Sequence, residues 1–320
     1  MQPLKTLAMA VGLAGLSTLS HAADMPTIGI TYIVEHPAID AVYKGIVDGL
    51  AEAGYTDGDT IKIVSRSAQG SMATQAQIAS EFAGLDLGVG VAISTPSAQA
   101  LKNSMPDKPV IFAAVTDPVG AGLVDTMAVP GGNVTGTSDQ QPYPPILKLI
   151  KSLIPNATKL GIVFNPGEAN AVSQVKALEE VAPDYGLKII EAPAAESTMV
   201  ADATRSLVGN VDAVLLPTDS TVVSVIESVV TVGEKAHLPI FASDTGSVER
   251  GALAALGFNY YDMGKASAKM IVKVLKGAKP ADIPAIVPES QDLYLNAKSA
   301  EAMGVTIPDD ILKSAAKVIR

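Results

Sequence analysis

Short apolar runs alternate with longer stretches of helical periodicity through most of this chain. Thr27–Tyr32 is an apolar strand, and residues 38–53 repeat their apolar positions at helical spacing before stopping at Gly54. Residues 60–65 alternate like a strand, residues 75–82 read as a helix, and Val89–Ile93 reads as a buried strand. A short helix over 97–103 and a strand over 109–114 complete the first half. The second half repeats the plan. Strands are predicted at Lys159–Phe164, 187–192, 211–216, 238–242 and 252–258, with helices at 170–182, 198–208 and 221–236. This order predicts an α/β fold with parallel sheets covered by helices.

The halves resemble each other locally. Thr27-Ile28-Gly29-Ile30 compares with Lys159-Leu160-Gly161-Ile162, Ile93-Ser94-Thr95-Pro96-Ser97 with Leu216-Pro217-Thr218-Asp219-Ser220, and Pro109-Val110-Ile111-Phe112-Ala113 with Leu238-Pro239-Ile240-Phe241-Ala242. The matches keep their order at nearly constant offset, which points to a doubled unit. Two Rossmann-like lobes are expected, joined near residues 135–139, where Gly and Thr dominate. A helix over 262–276 should return to the first lobe, followed by a strand-like stretch over 285–295. Lobe 1 would then hold residues 24–137 and about 260–285, and lobe 2 residues 138–259 and about 286–320. About three hinge crossings would join them, a plan suited to closing around a ligand.

Composition narrows the function. The formal net charge of −10 argues against nucleic acid or an anionic membrane surface as partner. There is no cysteine, so disulfides, thiol catalysis, Cys-based zinc sites and a lipid-modified N-terminal Cys are excluded. Residues 1–23 read as an export signal: Lys5 is followed by an apolar run and then by small residues at Ser20-His21-Ala22-Ala23. The run is shorter than the ~20 residues a spanning helix needs. Histidines occur only at 21, 36 and 237, and no Gly-x-Ser-x-Gly, P-loop or His-Glu-x-x-His motif appears. No catalytic residue, cofactor or metal is expected.

Ligands of open parallel sheets bind outside the carboxyl ends of the strands. The residues there are small or acidic: Glu35 and His36 after the first strand, Thr95 and Ser97 after the third, Thr116 and Asp117 after the fourth. In the second half they are Glu168 and Asn170, Thr218 and Asp219, and Asp244. Hydroxyls at a helix N-terminus suit a ligand carboxylate. Asp244, Asp219 or Glu168 could accept an ammonium. Tyr32 and Phe164, at strand ends, could stack on an aromatic side chain. Ser97, Thr116 and Asp219 are equally good helix caps.

Several segments resemble the ABC transporter substrate-binding family typified by the tryptophan-binding protein TrpX. They include Glu35-His36-Pro37-Ala38-Ile39-Asp40, Ala92-Ile93-Ser94-Thr95-Pro96-Ser97, Thr116-Asp117-Pro118-Val119-Gly120, Glu168-Ala169-Asn170 and Phe241-Ala242-Ser243-Asp244. The resemblance implies a type I periplasmic-binding fold; the export signal and the lack of cysteine point to a chain free in the periplasm, expected to be a monomer. The resemblance also implies an aromatic amino acid as ligand, with an ABC permease and its ATPase as partners. It places Thr95 and Ser97 against the ligand carboxylate and Asn170, Asp219 and Asp244 on the opposite wall. Relatives often carry Phe where this chain has Tyr32, and usually carry Ser where Asn165-Pro166-Gly167 leads into Glu168; both bear on side-chain preference. The same fold also serves branched-chain amino acids, purines, sugars and receptor modules.

Overall fold

The computed structural model describes residues 25–289 and 291–320. The expected export signal, residues 1–23, lies outside the described residues. The first half runs β1 (Thr27–Tyr32), α1 (Pro37–Glu52), β2 (Lys62–Ser67), α2 (Met72–Gly84), β3 (Val89–Ile93), α3 (Thr95–Ser104), β4 (Val110–Val115) and β5 (Val134–Ser138). Its five strands lie parallel in the order β2-β1-β3-β4-β5. β3 and β4 are buried along their whole length, as continuous apolar strands between two helical layers must be.

The second half runs α4 (Tyr143–Leu153), β6 (Lys159–Phe164), α5 (Ala169–Val181), β7 (Lys188–Pro193), α6 (Val200–Leu207), β8 (Ala213–Leu216), α7 (Ser220–Ser224), α8 (Ile226–Ala236), β9 (Ile240–Ala242), α9 (Thr245–Glu249) and β10 (Ala254–Phe258). There follow α10 (Tyr260–Leu275), β11 (Gln291–Asn296), α11 (Ala297–Ala302), α12 (Asp309–Ser314) and β12 (Lys317–Ile319). The second sheet is ordered β12-β11-β10-β9-β8-β6-β7. Its parallel part, β7-β6-β8-β9-β10, repeats the winding of the first sheet strand for strand. β11 adds antiparallel to β10.

Three details depart from the sequence reading. The junction expected at 135–139 is mostly strand: β5 is fully buried, and Gly136 passes so close to β4 that a Cβ there would lie 1.9 Å from the Phe112 carbonyl oxygen. Its small residues reflect that close packing, not a flexible link. The helix expected over 221–236 breaks at Val225 into α7 and α8. The β-branched run Val222, Val223, Val225, Ile226 weakens helix there, and Arg250 takes up the Val223 carbonyl through Nη1 at 2.6 Å. The stretch 285–295 divides: Ile286 bridges to Thr137 beside the first sheet, and β11 belongs to the second.

α10 follows a strand of the second sheet but packs on the first. Met263, Ala268 and Ile271 share a core with Val42, Ile46 and Leu50 of α1. The two helices cross at glycines: a Cβ on Gly45 would lie 2.1 Å from the Tyr261 carbonyl oxygen, and one on Gly264 2.2 Å from that of Val42. The chain therefore passes between the lobes after Ser138, between Phe258 and Tyr260, and between Ile286 and Gln291. Gly264→Ala must force α1 and α10 apart, so it should cost about 1–3 kcal/mol of stability. Urea unfolding should show a lower midpoint at unchanged slope.

Candidate ligand-binding cleft

Between the sheets lies a cleft that holds a cavity. Its walls are strand-end loops from both halves. The first half supplies Ile33, Val34, His36, Ala38 and Ile39 after β1, Ser94, Thr95 and Pro96 after β3, Ala114 and Thr116 around the end of β4, and Asp139 after β5. The second supplies Glu168 and Asn170 after β6, Thr218, Asp219, Ser220 and Val223 after β8, Asp244 after β9 and Tyr260 after β10.

Of the residues singled out from sequence, the cavity collects His36, Thr95, Thr116, Glu168, Asn170, Thr218, Asp219 and Asp244. Four lie elsewhere. Tyr32 packs edge-on against Tyr43, with ring centroids 6.1 Å apart. Glu35 is exposed at the loop tip. Ser97, in the first turn of α3, turns away from the cavity and donates to Gln75 Oε1 at 2.9 Å, while Gln75 Nε2 donates to Thr31 Oγ1 at 3.1 Å. Asp117 closes its own turn by accepting from Gly120 N at 2.8 Å, and also accepts from Ser173 Oγ of the other half at 2.8 Å. Phe164 is buried in the second core. Tyr260 is the one Phe, Tyr or Trp lining the cavity. Sequence reasoning missed Asp139, because β5 looked like a linker, and Tyr260, because it opens a helix after a hinge.

Backbone strain concentrates at one wall. Ser94 (φ 85°) and Ala114 (φ 53°) both occupy the left-handed region, joined by Ser94 N donating to the Ala113 carbonyl at 2.9 Å. Each non-glycine residue so held costs about 1–3 kcal/mol, strain that clusters at ligand sites. Ser94 makes no side-chain cap, so the N-terminus of α3 meets the cavity uncapped. Thr95 Oγ1, beside it, is buried without a hydrogen-bond partner. On the facing wall, Asn170 donates through Nδ2 to the Thr218 carbonyl at 2.6 Å, while its Oδ1 is buried and unpartnered.

The lining carries four carboxylates and no Lys or Arg. Glu168 accepts from Ser220 N at 3.0 Å and from Thr221 N at 2.9 Å. Asp219 caps the same helix through Val222 N at 2.9 Å; burial and then the neighbouring Glu168 push its carboxyl well above the ordinary range. Asp244 caps α9, accepting from Ser247 N at 2.8 Å and Ser247 Oγ at 2.6 Å. Burial holds His36 below its usual pKa. Its Nδ1 accepts from Ala38 N at 3.3 Å, which puts the proton on Nε2, facing Ser247 Oγ at 3.4 Å. The 3.8 Å approach of Nδ1 to Asp244 is therefore not an ion pair.

Asp139 is pushed up to about 6, chiefly by burial; hydroxyls of Thr116 (3.0 Å) and Tyr260 (3.1 Å) pull the other way, and Asp244 adds to the rise. The folded chain thus binds a proton here more tightly than the unfolded chain. As pH climbs from about 4 to about 6, the empty cleft loses about 3 kcal/mol at this group, and the loss is complete above that window.

Residues 27–319 match the family described as ABC transporter substrate binding protein. The chain belongs to that family. It is a family of binders, not enzymes. A tyrosine-binding protein of Clostridioides difficile is 41% identical over 276 residues, 86% of this chain and 80% of the relative. The crystal structure of an ABC domain from Streptococcus pneumoniae in complex with L-Trp is 39% identical, covers 92% of this chain and 99% of its own, and superposes with TM-score 0.89. A ligand-free, open substrate-binding protein with adhesive properties from Clostridium difficile has the same identity and coverage but a TM-score of 0.69. Distant solute-binding proteins at 14–15% identity share the type I two-lobed fold, with TM-scores of 0.60. With sequence distance equal, the gap between 0.89 and 0.69 is one of shape, and this substrate-binding protein stands with the liganded form.

Contacts across the cleft agree with a closed substrate-binding protein. Thr116 and Thr218 hydroxyls meet at 3.1 Å. α9 presses on the start of α1: a Cβ on Gly246 would lie 2.7 Å from Ala38 N and 2.9 Å from His36 Cε1. Gly246→Ala should therefore hold the lobes apart. Its ligand affinity should fall at least tenfold, and small-angle scattering should find it extended even with ligand present. Equal dimensions for liganded wild type and variant would show that the seam tolerates a methyl group. Ser97→Ala should instead leave affinity unchanged and cost about 1–3 kcal/mol in urea unfolding, because Gln75 loses a buried partner.

Proposed function

We propose that this chain is the periplasmic solute-binding component of an ABC importer and that it captures a zwitterionic aromatic amino acid between its lobes. The observation that carries this reading is a pair of unsatisfied polar atoms on opposite walls, Thr95 Oγ1 and Asn170 Oδ1. Buried polar groups in folded proteins have partners, so this pair marks where a ligand supplies them. The chemistry differs between the walls. Thr95 offers a hydroxyl donor beside an uncapped helix N-terminus, which suits a carboxylate. Asn170 Oδ1 is an acceptor among carboxylates, which suits an ammonium. A ligand with both groups on one carbon spans the two.

Ile33, Val34, Ile39, Pro96 and Val223 give the remaining surface an apolar character fit for a large hydrocarbon side chain. The tyrosine-binding relative and the L-Trp complex support an aromatic one. An ammonium also answers the electrostatics, since the lining holds carboxylates and no basic side chain. The closed form is what a permease and its ATPase would read. Among the described residues no helix is long and apolar enough to cross a membrane. A monomer without nucleic-acid partners fits the net charge of −10.

A thermal-shift panel tests this reading. L-tryptophan, L-tyrosine and L-phenylalanine should raise the unfolding midpoint, at 100 times the dissociation constant by an amount equivalent to about 2.7 kcal/mol. Tryptamine, which lacks the carboxylate, should bind at least a hundredfold more weakly. Thr95→Val should weaken L-tryptophan about tenfold or more, the worth of one hydrogen bond to a charged group. A panel in which sugars shift the midpoint and no amino acid does would rule the reading out.

A further inference from the structure

The four carboxylates of the cleft are not equivalent. Glu168, Asp219 and Asp244 each hold backbone N–H groups at the start of α7 or α9. Those amides already occupy the carboxylate oxygens as donors. Asp139 is held by two neutral hydroxyls, one on each oxygen, and is only 3% exposed. A carboxylate accepts at about four lone-pair positions, so Asp139 keeps acceptor capacity toward the cavity it lines. Resting on the zwitterion reading, we propose that Asp139 receives the ligand ammonium, and that this contact couples ligand charge to lobe closure.

The coupling is written in the hydrogen bonds. Gln174 Nε2 donates to Thr218 Oγ1 at 2.8 Å, Thr218 faces Thr116 at 3.1 Å, and Thr116 donates to Asp139 Oδ1 at 3.0 Å. Because the Thr116 proton points at the carboxylate, Thr218 is the donor between the two threonines. Every hydroxyl then accepts once and donates once, in a chain that runs from the second lobe to a carboxylate of the first. The chain exists only with the lobes together, and it stabilises an ionised Asp139. On the other oxygen, Tyr260 donates from the first residue of α10. Asp139 and Tyr260 stand at two of the three crossings, so a cation at Asp139 fixes both. The titratable groups that act on Asp139 or are acted on by it are Tyr260, Tyr143 and Asp244, none of them cationic. The ammonium is then the neutralising charge.

Affinity should consequently rise with pH as Asp139 ionises near 6 and level off above 7, a window between the titrations of the ligand's α-carboxyl and α-amino groups. His36, whose pKa burial lowers, contributes a slope of the same sign, so variants must separate the two. Calorimetry with L-tryptophan on the full chain from pH 5 to 8 does so. Asp139→Asn should bind at least a hundredfold more weakly at pH 7.5, with a flatter slope than wild type. Tyr260→Phe should still bind at pH 8 but move the midpoint of the profile upward, because the ionised carboxylate loses a donor. A merely structural hydroxyl would leave that midpoint in place. Asp139→Asn binding within threefold of wild type on the same profile overturns the proposal while amino-acid capture stands. Should Asp139→Asn fail to fold, an unmoved midpoint in Tyr260→Phe overturns it instead. Wild type that ignores every amino acid removes the functional reading and this proposal together.

Discussion

A carboxylate taken out of water with no cation beside it is among the costliest things a fold can bury, and this cleft contains several. The arrangement of the surrounding loops follows from that cost. Short helices begin where Glu168, Asp219 and Asp244 need backbone amides, and their N-termini are aimed at the oxygens. α7 and α9 are five residues each, too short to stand as independent helices. They persist because their ends are fastened to these carboxylates. Ser247 does double duty, binding Asp244 and facing the neutral imidazole of His36 across the cleft. The acidic lining and the local secondary structure are thus two sides of one requirement.

The doubled winding explains why the loops converge. Each lobe threads its strands in the same order, so each presents its polar strand ends at one pole. With the poles facing, equivalent loops oppose each other: Thr95 with its helix start on one side, Asp219 and α7 on the other. The chemistry has diverged while the geometry has not. The loop after β3 keeps an uncapped helix N-terminus, whereas that after β8 is capped by Asp219. The helix start after β3 is left to meet a ligand's negative charge, whereas the one after β8 already faces a carboxylate of the chain itself.

Much of this was legible in the sequence because burial imposes period. Apolar runs gave the strands, the local repeats gave the two lobes, and the rule that ligands sit at strand ends brought eight site residues together. What failed was direction. Tyr32 and Ser97 are at strand ends but face away, and the side a residue takes depends on the last pleat or the first helical turn, which spacing resolves poorly. Asp139 was hidden for another reason. Val134-Thr135-Gly136-Thr137-Ser138 has the composition of a linker, yet it is a buried strand whose small residues accommodate the backbone of β4. A strand unrecognised leaves its terminal residue unread.

α10 and Ile286 complete the first lobe from beyond the second. Until they arrive, α1 alone covers one face of the first sheet, and part of its apolar surface stays open to water. A growing chain therefore cannot finish its N-terminal lobe on the ribosome until nearly all of it has been synthesised. The interleaving that supplies a hinge also delays the first lobe's completion, keeping the chain pliable over most of its synthesis.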